Sequence, residues 1–180
     1  MRVVSSFITV LLLSLPGIAR AQTFELSASA GPTITDPGYS LAAGIGFSPT
    51  SRLTFLVDVE RTHLSTQVET DARGTISTFR GGHVTLGTAA LRVSLFGRDR
   101  IGPYAIAGFG AGVSKPHVTA TFPSRVTHDV RAPFIGGGFQ LPLGDHLNIF
   151  ADGRMMLVVG TDSNELIGVA PIRAGVSWRF

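Results

Sequence analysis

The chain lacks cysteine altogether and has little charge, one lysine and one tryptophan among its 180 residues. The absence of cysteine excludes disulfides, zinc–thiolate sites, a cysteine nucleophile and a lipidated N-terminal cysteine. Charged residues make up 15% of the chain and hydrophobic residues 44%. This composition excludes a disordered chain, and it carries less charge than most soluble domains, in which about 25% of residues are charged.

Long hydrophobic runs are also absent from the interior of the chain. No internal segment approaches the ~18 uncharged apolar residues of a membrane-spanning helix, although the mean hydropathy is positive, at +0.31. A membrane β-barrel alternates apolar and polar residues along each strand, so it is apolar overall without being apolar for long. The hydropathy therefore favours such a barrel, and the length favours one domain.

The first 21 residues have the features of a cleaved signal peptide. Arg2 gives a short positive segment, and a mainly apolar stretch follows over residues 3–15. Ala19 and Ala21 fit the A-x-A pattern of a cleavage site. We therefore expect residues 1–21 to be removed rather than to remain as a short membrane anchor, and we expect export to the cell envelope.

Removal of the signal peptide leaves a nearly neutral protein. The full chain has 15 lysines and arginines against 12 acidic residues, and loss of Arg2 and Arg20 leaves 13 against 12. The isoelectric point of about 10.2 reflects the predominance of arginine over lysine rather than a basic patch. The sequence therefore indicates no nucleic-acid partner.

A period of two residues recurs through the mature chain, and it predicts strands with one apolar and one polar face. In the third segment, for example, Leu53, Phe55 and Val57 alternate with Thr54 and Asp58 on the other face. No helical period recurs. The predicted strands cover residues 23–30, 40–48, 53–60, 83–96, 103–114, 132–143, 147–157 and 172–180.

The connections between these eight segments alternate between short turns and longer loops. The longest predicted loops cover residues 63–82 and 115–131, and tight polar turns lie near residues 48–51, 97–100 and 144–145. Outer-membrane barrels show this asymmetry, with short periplasmic turns and longer extracellular loops. We therefore predict an all-β fold: an eight-stranded antiparallel up-and-down transmembrane β-barrel over residues 22–180, in the outer membrane.

The polar faces of the predicted strands carry four acids and four arginines, which would point into a narrow lumen. Buried charges are tolerated when they are paired, and the guanidinium fork matches a carboxylate. We expect these charges to form a network that fills the lumen; a path for ions or protons is the alternative. The residues are Glu25, Asp58, Glu60, Arg92, Asp152, Arg154, Arg173 and Arg179.

Strand adjacency suggests particular ion pairs inside this network. Arg92 lies on the strand next to the one that carries Asp58 and Glu60, so one of these acids is expected to pair with it. On closure of the barrel, Asp152 and Glu25 could meet Arg154 and Arg173. Glycines on the inward faces of the second, fifth and sixth strands would leave space for water or a small ligand.

With these features in place, the chain resembles small eight-stranded outer-membrane barrels of the OmpA, OmpX and OmpW kind. Such barrels commonly end in an alternating strand with a terminal phenylalanine that their assembly machinery recognises. The resemblance implies that this machinery is a partner and that outer-membrane lipid surrounds the barrel. It assigns the assembly signal to Ile172, Val176, Trp178 and Phe180.

Catalytic, metal and cofactor signals are weak. His63 and Ser65 are two residues apart and could share a strand face as base and nucleophile, but such pairs are common by chance. His83, His117 and His128 lie in or beside the long loops without a metal-ligand spacing. The glycine runs are not followed by a lysine and a helix. We therefore expect no enzyme, no metal and no cofactor.

Three functional interpretations remain at this stage. The first is a structural or surface-interaction role through the extracellular loops, with a lumen packed by charged and small residues and a loop ligand that the sequence does not identify. The second is a narrow channel or carrier for a small solute. The third is a soluble periplasmic barrel that binds an apolar ligand inside, with its charges facing water.

Deletion of Phe180 tests the C-terminal assembly signal. We expect the deletion to reduce the amount of folded barrel in the outer membrane, because the terminal aromatic residue would no longer be available to the assembly machinery. The measurement is the yield of the membrane-fraction species whose gel mobility shifts on boiling. An unchanged yield would contradict the assignment.

Overall fold

The structure is a computed structural model that describes residues 22–34, 37–65, 67–70, 76–79, 81–116, 127–160 and 166–180. The predicted signal peptide over residues 1–21, with the predicted cleavage-site residues Ala19 and Ala21, lies outside the described residues. Within the described ranges, no helix is long and apolar enough to cross a membrane. The strands are β1 (Thr23–Thr33), β2 (Gly38–Ser48), β3 (Leu53–Leu64), β4 (Gln67–Thr70), β5 (Ile76–Phe79), β6 (Gly82–Ser94), β7 (Gly102–Pro116), β8 (His128–Leu143), β9 (Leu147–Gly160), β10 (Leu166–Val169) and β11 (Ile172–Arg179).

The strands form a closed antiparallel barrel. Consecutive strands pair in the order β1, β2, β3, β6, β7, β8 and β9, and β9 pairs with both β10 and β11. Closure comes from β11 against β1, where Glu25 lies opposite Arg179 and Ala30 opposite Ala174. The predicted eight-stranded up-and-down barrel is confirmed.

The eighth barrel strand consists of two segments, β10 and β11, in one register. Leu166 pairs with Val159 and Ile172 pairs with Gly153 of the same neighbour, β9. Pro171 lies between the two segments, and proline has no N–H to donate to the ladder. The interruption is therefore local, and the strand begins earlier than the predicted residue 172.

Several other strands are also longer than their predicted ranges. β7 and β8 continue to Pro116 and from His128, into the segment predicted as a loop over residues 115–131. The predicted loop over residues 63–82 contains a separate two-stranded sheet, β4 and β5. These extensions are polar or irregular in their alternation, so the period of two does not reveal them.

One end of the barrel, here called the turn end, carries the three short turns over residues 49–52, 95–101 and 144–146. The start of β1 and the end of β11 lie at the same end. Gly97 and Gly144 have φ angles of 90° and 87° in these turns, a conformation that glycine adopts without steric strain. The Thr50 hydroxyl accepts hydrogen bonds from the N–H groups of Arg52 and Leu53, at 3.3 and 3.1 Å. The opposite end, the loop end, carries the longer connections.

The outer surface of the barrel is apolar and the interior contains the charges. Large hydrophobic side chains that would be buried in a soluble protein are exposed, among them Met155 at 71% and Ile135 at 66%. This inversion is the arrangement of a barrel surrounded by lipid. It contradicts the soluble periplasmic interpretation, which required the charged face to lie outside.

A belt of aromatic side chains surrounds the turn end of the outer surface. The Phe24 and Phe47 rings lie with their centroids 5.2 Å apart, and the Trp178 ring stacks on His146 at 5.6 Å. Aromatic residues concentrate at membrane–water interfaces in barrels of this class. The exposed members are Phe24, Phe55, Phe96, Phe139, Trp178 and Phe180.

Glycine at position 108 allows an inward-facing aromatic ring to approach the β7 backbone. A Cβ atom on Gly108 would lie 2.6 Å from the Phe134 ring and would also clash with the backbone carbonyl oxygen of Ala89, both far inside van der Waals contact. We expect Gly108→Ala to lower the free energy of unfolding by about 1–3 kcal/mol through overpacking. The measurement is the urea midpoint of the heat-modifiable species in detergent.

Gly153→Ala is the matched control, since a Cβ atom there would meet nothing within 4 Å. Its midpoint should equal or slightly exceed that of the wild type. Equal midpoints for the two variants would contradict the close packing at Gly108.

Candidate functional site: the barrel interior

The structure places all eight charged residues that the sequence assigned to the lumen inside the barrel. None of the eight exposes more than 5% of its surface, and Glu60 and Arg173 expose 0% and 1%. Polar residues from the turn end surround them: Ser48, Thr54, Ser94, Gln140, Asn148 and Ser177 are all almost fully buried.

Arg173 on β11 connects two acids from opposite sides of the barrel. Its Nε and Nη2 atoms donate to Asp152 at 3.0 to 3.2 Å in a two-pronged contact. Its Nη1 atom donates to Glu60 Oε2 at 3.1 Å. The other oxygen of Glu60 accepts from the Ser40 hydroxyl at 2.8 Å, so Glu60 is satisfied on both sides.

Arg154 on β9 lies among three carboxylates. Its guanidinium is 3.6 Å from both Asp58 and Asp152 and 3.7 Å from Glu60. These separations are ion-pair distances, and the Nε and Nη1 atoms of Arg154 donate no hydrogen bond to any residue that the structure describes. The guanidinium also lies 5.1 Å from the centre of the Phe134 ring, which places it at the boundary with the apolar part of the interior.

Glu25 and Arg92 form the second part of the network. Arg92 Nη2 donates to both carboxylate oxygens of Glu25, at 2.8 and 3.0 Å, and its guanidinium lies 5.6 Å from the centre of the Tyr104 ring. The Tyr104 hydroxyl donates to Asp152 at 3.2 Å. Tyr104 thereby links the Glu25–Arg92 pair to the cluster around Arg173.

Arg179 closes the turn end of the interior. It donates to Asp99 at 3.0 Å and to the carbonyl of Arg98 at 2.6 Å. Gln140 donates to the carbonyl of Gly97 at 2.9 Å. The β6–β7 turn is thus tied across the barrel opening to β11 and β8.

Several predicted ion pairs differ from those in the structure. Arg92 does not pair with Asp58 or Glu60 as expected, but with Glu25. Glu25 pairs with neither Arg154 nor Arg173, whereas Asp152 pairs with both of them. The reason is geometric: long arginine side chains reach across a narrow lumen, so partners are set by the facing wall as well as by the neighbouring strand.

An apolar cluster lines the interior toward the loop end, mainly on the wall formed by β6 to β10, and the sequence does not reveal it. Charged and small residues are predicted throughout the lumen, yet large hydrophobic side chains occupy this wall, whereas the facing wall carries buried Ser40 and Thr62. Their alternation was hidden because the outward residues around them are also apolar, as in the run from Met155 to Val158. The cluster comprises Leu56, Leu64, Val84, Leu86, Ile106, Val130, Ala132, Phe134, Met156, Val158 and Val169.

A small cavity of about 20 Å³ lies in the interior beside Asp58, Asp152 and Arg154. A cavity of this size holds about one water molecule. The inward glycines do not open further space, since a Cβ on Gly46 would lie 2.6 Å from Glu25 and one on Gly175 would lie 2.5 Å from Phe150. Large neighbours fill the room that the glycines leave.

The remaining candidate groups lie outside the barrel interior. The His63 ring packs at 5.2 Å against Tyr39, and the neighbouring Ser65 is exposed. In the part of the chain that the structure describes, no three potential ligands converge on a metal site; His117 lies outside that part. The residues of the C-terminal signal, Ile172, Val176, Trp178 and Phe180, all face outward with at least 46% exposure.

Removal of one partner of the Glu25–Arg92 pair should lower the free energy of unfolding more than removal of both partners. Arg92→Met leaves a buried carboxylate without its partner, and we expect it to lower the free energy of unfolding by about 3–5 kcal/mol. The double variant Glu25→Gln with Arg92→Met should recover a large part of that loss, as read from urea midpoints in detergent.

Arg100→Met, at an exposed arginine of the β6–β7 turn, is the control and should shift stability by less than about 0.5 kcal/mol. Additive losses from Glu25→Gln and Arg92→Met would show that the two residues do not act as a pair.

Comparison with solved structures finds small outer-membrane barrels. The N-terminal β-barrel domain of Pseudomonas aeruginosa OprF superimposes with a TM-score of 0.63 at 13% identity, covering 89% of this chain and 98% of that one. Neisserial surface protein A gives 0.59 at 14% identity, with coverage of 88% and 96%.

The Yersinia pestis attachment invasion locus protein Ail, solved with the heparin analogue sucrose octasulfate, gives a TM-score of 0.53 at 13% identity and covers 89% of this chain and 99% of that one. No protein-family model matches the chain, and no curated protein matches it. The chain has the fold of the small eight-stranded outer-membrane β-barrels.

Proposed function

We propose that the protein is a plugged outer-membrane barrel without catalytic activity, which acts through its outer surfaces in a structural or surface-interaction role. The observation that carries the proposal is the filled interior. Ion pairs linked through Tyr104 occupy much of the turn-side half, an apolar cluster lines the wall from β6 to β10 toward the loop end, and a cavity of about 20 Å³ lies between them.

The two halves of the interior would block transport for different reasons. Along the wall from β6 to β10 the apolar cluster gives an ion no polar group to replace its water, and burial of an unpaired charge is unfavourable. Arg154 lies among three carboxylates and Arg173 binds two, so displacement of either side chain would break several contacts together. These features argue against the channel or carrier interpretation.

The longer connections at the loop end are then the part of the protein most available to partners. In the sequence, residues 115–131 carry Lys115, Arg125 and Arg131 against the single acid Asp129. A basic balance of this kind favours contact with anionic groups. The presence of a sulfated sugar in the Ail structure supports a surface role of this class.

Conductance measurements test the proposal. Purified barrel inserted into a planar lipid bilayer should give no steady ionic current, because the interior offers no continuous water path. A water-filled porin in the same bilayer serves as the positive control. A stable ohmic current from the wild-type barrel would overturn the proposal in favour of transport.

A variant with a replaced loop distinguishes a barrel whose packed interior blocks ions from a barrel whose loops block them. Replacement of residues 117–126 with a short glycine–serine linker should leave the barrel non-conducting and heat-modifiable. A current that appears only in this variant would show that the loop, rather than the packed interior, closes the barrel.

A further inference from the structure

The ion pairs of the interior form two clusters. The first is the Glu25–Arg92 pair. The second contains three acids and two arginines from β3, β9 and β11, namely Asp58, Glu60, Asp152, Arg154 and Arg173. Tyr104 lies where the clusters meet, since its hydroxyl donates to Asp152 at 3.2 Å and its ring lies 5.6 Å from the Arg92 guanidinium. In the part of the chain that the structure describes, this tyrosine rather than an ion pair joins the two clusters.

The cavity of about 20 Å³ lies at the same junction. Arg92 of the first cluster and Asp58 and Arg154 of the second line it, together with Ser27 and Ser29 of β1. Hydroxyl, carboxylate and guanidinium groups therefore make up most of its lining, whereas cavities that stay empty are lined by aliphatic and aromatic side chains. A space of this size and polarity suits one water molecule.

Two arginines that line the cavity have more donors than the neighbouring side chains accept. Arg154 is 4% exposed, and its Nε and Nη1 atoms donate no hydrogen bond within the described ranges. Arg92 is 3% exposed, and its Nε atom also lacks an acceptor among the described residues. A buried donor without an acceptor destabilises the fold. An acceptor inside the cavity would therefore stabilise the arginines beside it.

The carboxylate of Asp58 shows the complementary need for a donor. Asp58 is 5% exposed, and its ion pair with Arg154 Nη2 spans 3.6 Å. A charge-assisted hydrogen bond between such groups is about 2.7–2.9 Å long, and Asp152 accepts bonds of 3.0 to 3.2 Å from Arg173. A polar contact longer than about 3.5 Å is often completed by a bridging water. Asp58 and Arg154 have such a separation, and both lie beside the cavity.

The charges around the cavity favour a neutral occupant. A cation would meet the guanidinium groups of Arg92 and Arg154. An anion would meet the carboxylates of Asp58 and Asp152, so either ion would lie beside a like charge. Water both donates and accepts, and a buried water typically makes about three hydrogen bonds. One water can therefore satisfy a guanidinium and a carboxylate together.

We propose that this cavity is the binding site of one ordered water molecule, which accepts a hydrogen bond from the Arg154 guanidinium and donates one to the Asp58 carboxylate. The Ser29 hydroxyl and the Arg92 guanidinium line the same space and give the water further partners. The water then connects β3 and β9 with β1 and β6 across the lumen, and the two clusters become one network. The proposal rests on the filled interior of the proposed function, although its test does not involve ion flow.

A crystal structure of the refolded barrel tests for the water directly. We expect density for one water within hydrogen-bonding distance of both Arg154 and Asp58. Crystals grown in sodium bromide test for an anion, because bromide scatters anomalously and water does not. A dry cavity, or an anomalous peak inside it, would overturn the proposal.

Two isosteric substitutions at Ala42 test whether hydrogen bonding in the cavity stabilises the barrel. Ala42 lies on the inward face of β2 and lines the cavity. Threonine and valine have nearly the same shape, so both should displace the water, but only threonine brings a hydroxyl that can replace its hydrogen bonds. The urea midpoint of Ala42→Thr in detergent should therefore be higher than that of Ala42→Val.

The same two substitutions at Ala90 are the control. Ala90 packs against the apolar cluster and does not line the cavity, so Ala90→Val should be at least as stable as Ala90→Thr. Equal midpoints for the two Ala42 variants, or a higher midpoint for valine there as at Ala90, would contradict the water site. Since these measurements do not involve ion flow, a current through the wild-type barrel would count against the proposed function alone.

Discussion

Eight strands close into a barrel whose interior is only as wide as the side chains that fill it, and every charge inside must therefore find its partner there. The contacts of Arg173 show what this requirement produces. One guanidinium binds Asp152 from a neighbouring strand and Glu60 from the opposite wall. Inward glycines make room for these charged side chains, because a side chain at Gly46 would occupy the space of Glu25.

The division of the interior into a charged half and an apolar half gives the barrel two independent means of closure. The charged half holds the strands in register, since its pairs join strands that are not neighbours, such as β3 with β11. The apolar cluster packs against the ion pairs on the wall from β6 to β10, and an apolar neighbour lowers the local dielectric and strengthens an ion pair. Arg154 lies at the boundary, between three carboxylates and the Phe134 ring, so the two halves pack against each other directly.

The sequence was sufficient to predict which residues face inward, but not which of them meet. A period of two sets the face of each strand, so Glu25, Arg92 and Arg173 could be placed in the lumen from their strands alone. Partner choice depends on the stagger of strands around the barrel and on side chains that cross it. The Glu25–Arg92 pair joins β1 to β6 over 67 residues of sequence, and no local pattern contains that information.

The apolar half was missed for a related physical reason. Periodicity reveals a face only when the opposite face differs from it, and Met155 to Val158 are hydrophobic on both sides. In a soluble barrel this run would be read as fully buried, whereas here alternate residues face lipid and the barrel core. A membrane barrel can therefore hide its apolar core within strands that look uniformly hydrophobic, and Leu86, Phe134 and Met156 illustrate the effect.

The paired arginines of the interior contrast with an arginine on the lipid-facing surface. Each of the four arginines that the sequence predicts to lie in the lumen forms an ion pair with a carboxylate. Among the described residues, Arg61 on the outer surface has no such partner. An arginine on the lipid face costs about 2–4 kcal/mol at the bilayer midplane but only about 0–1 kcal/mol near the interface, and a long side chain that extends toward the interface lowers this cost. The same guanidinium group is therefore stabilised by carboxylates inside the barrel and by its reach toward the interface outside.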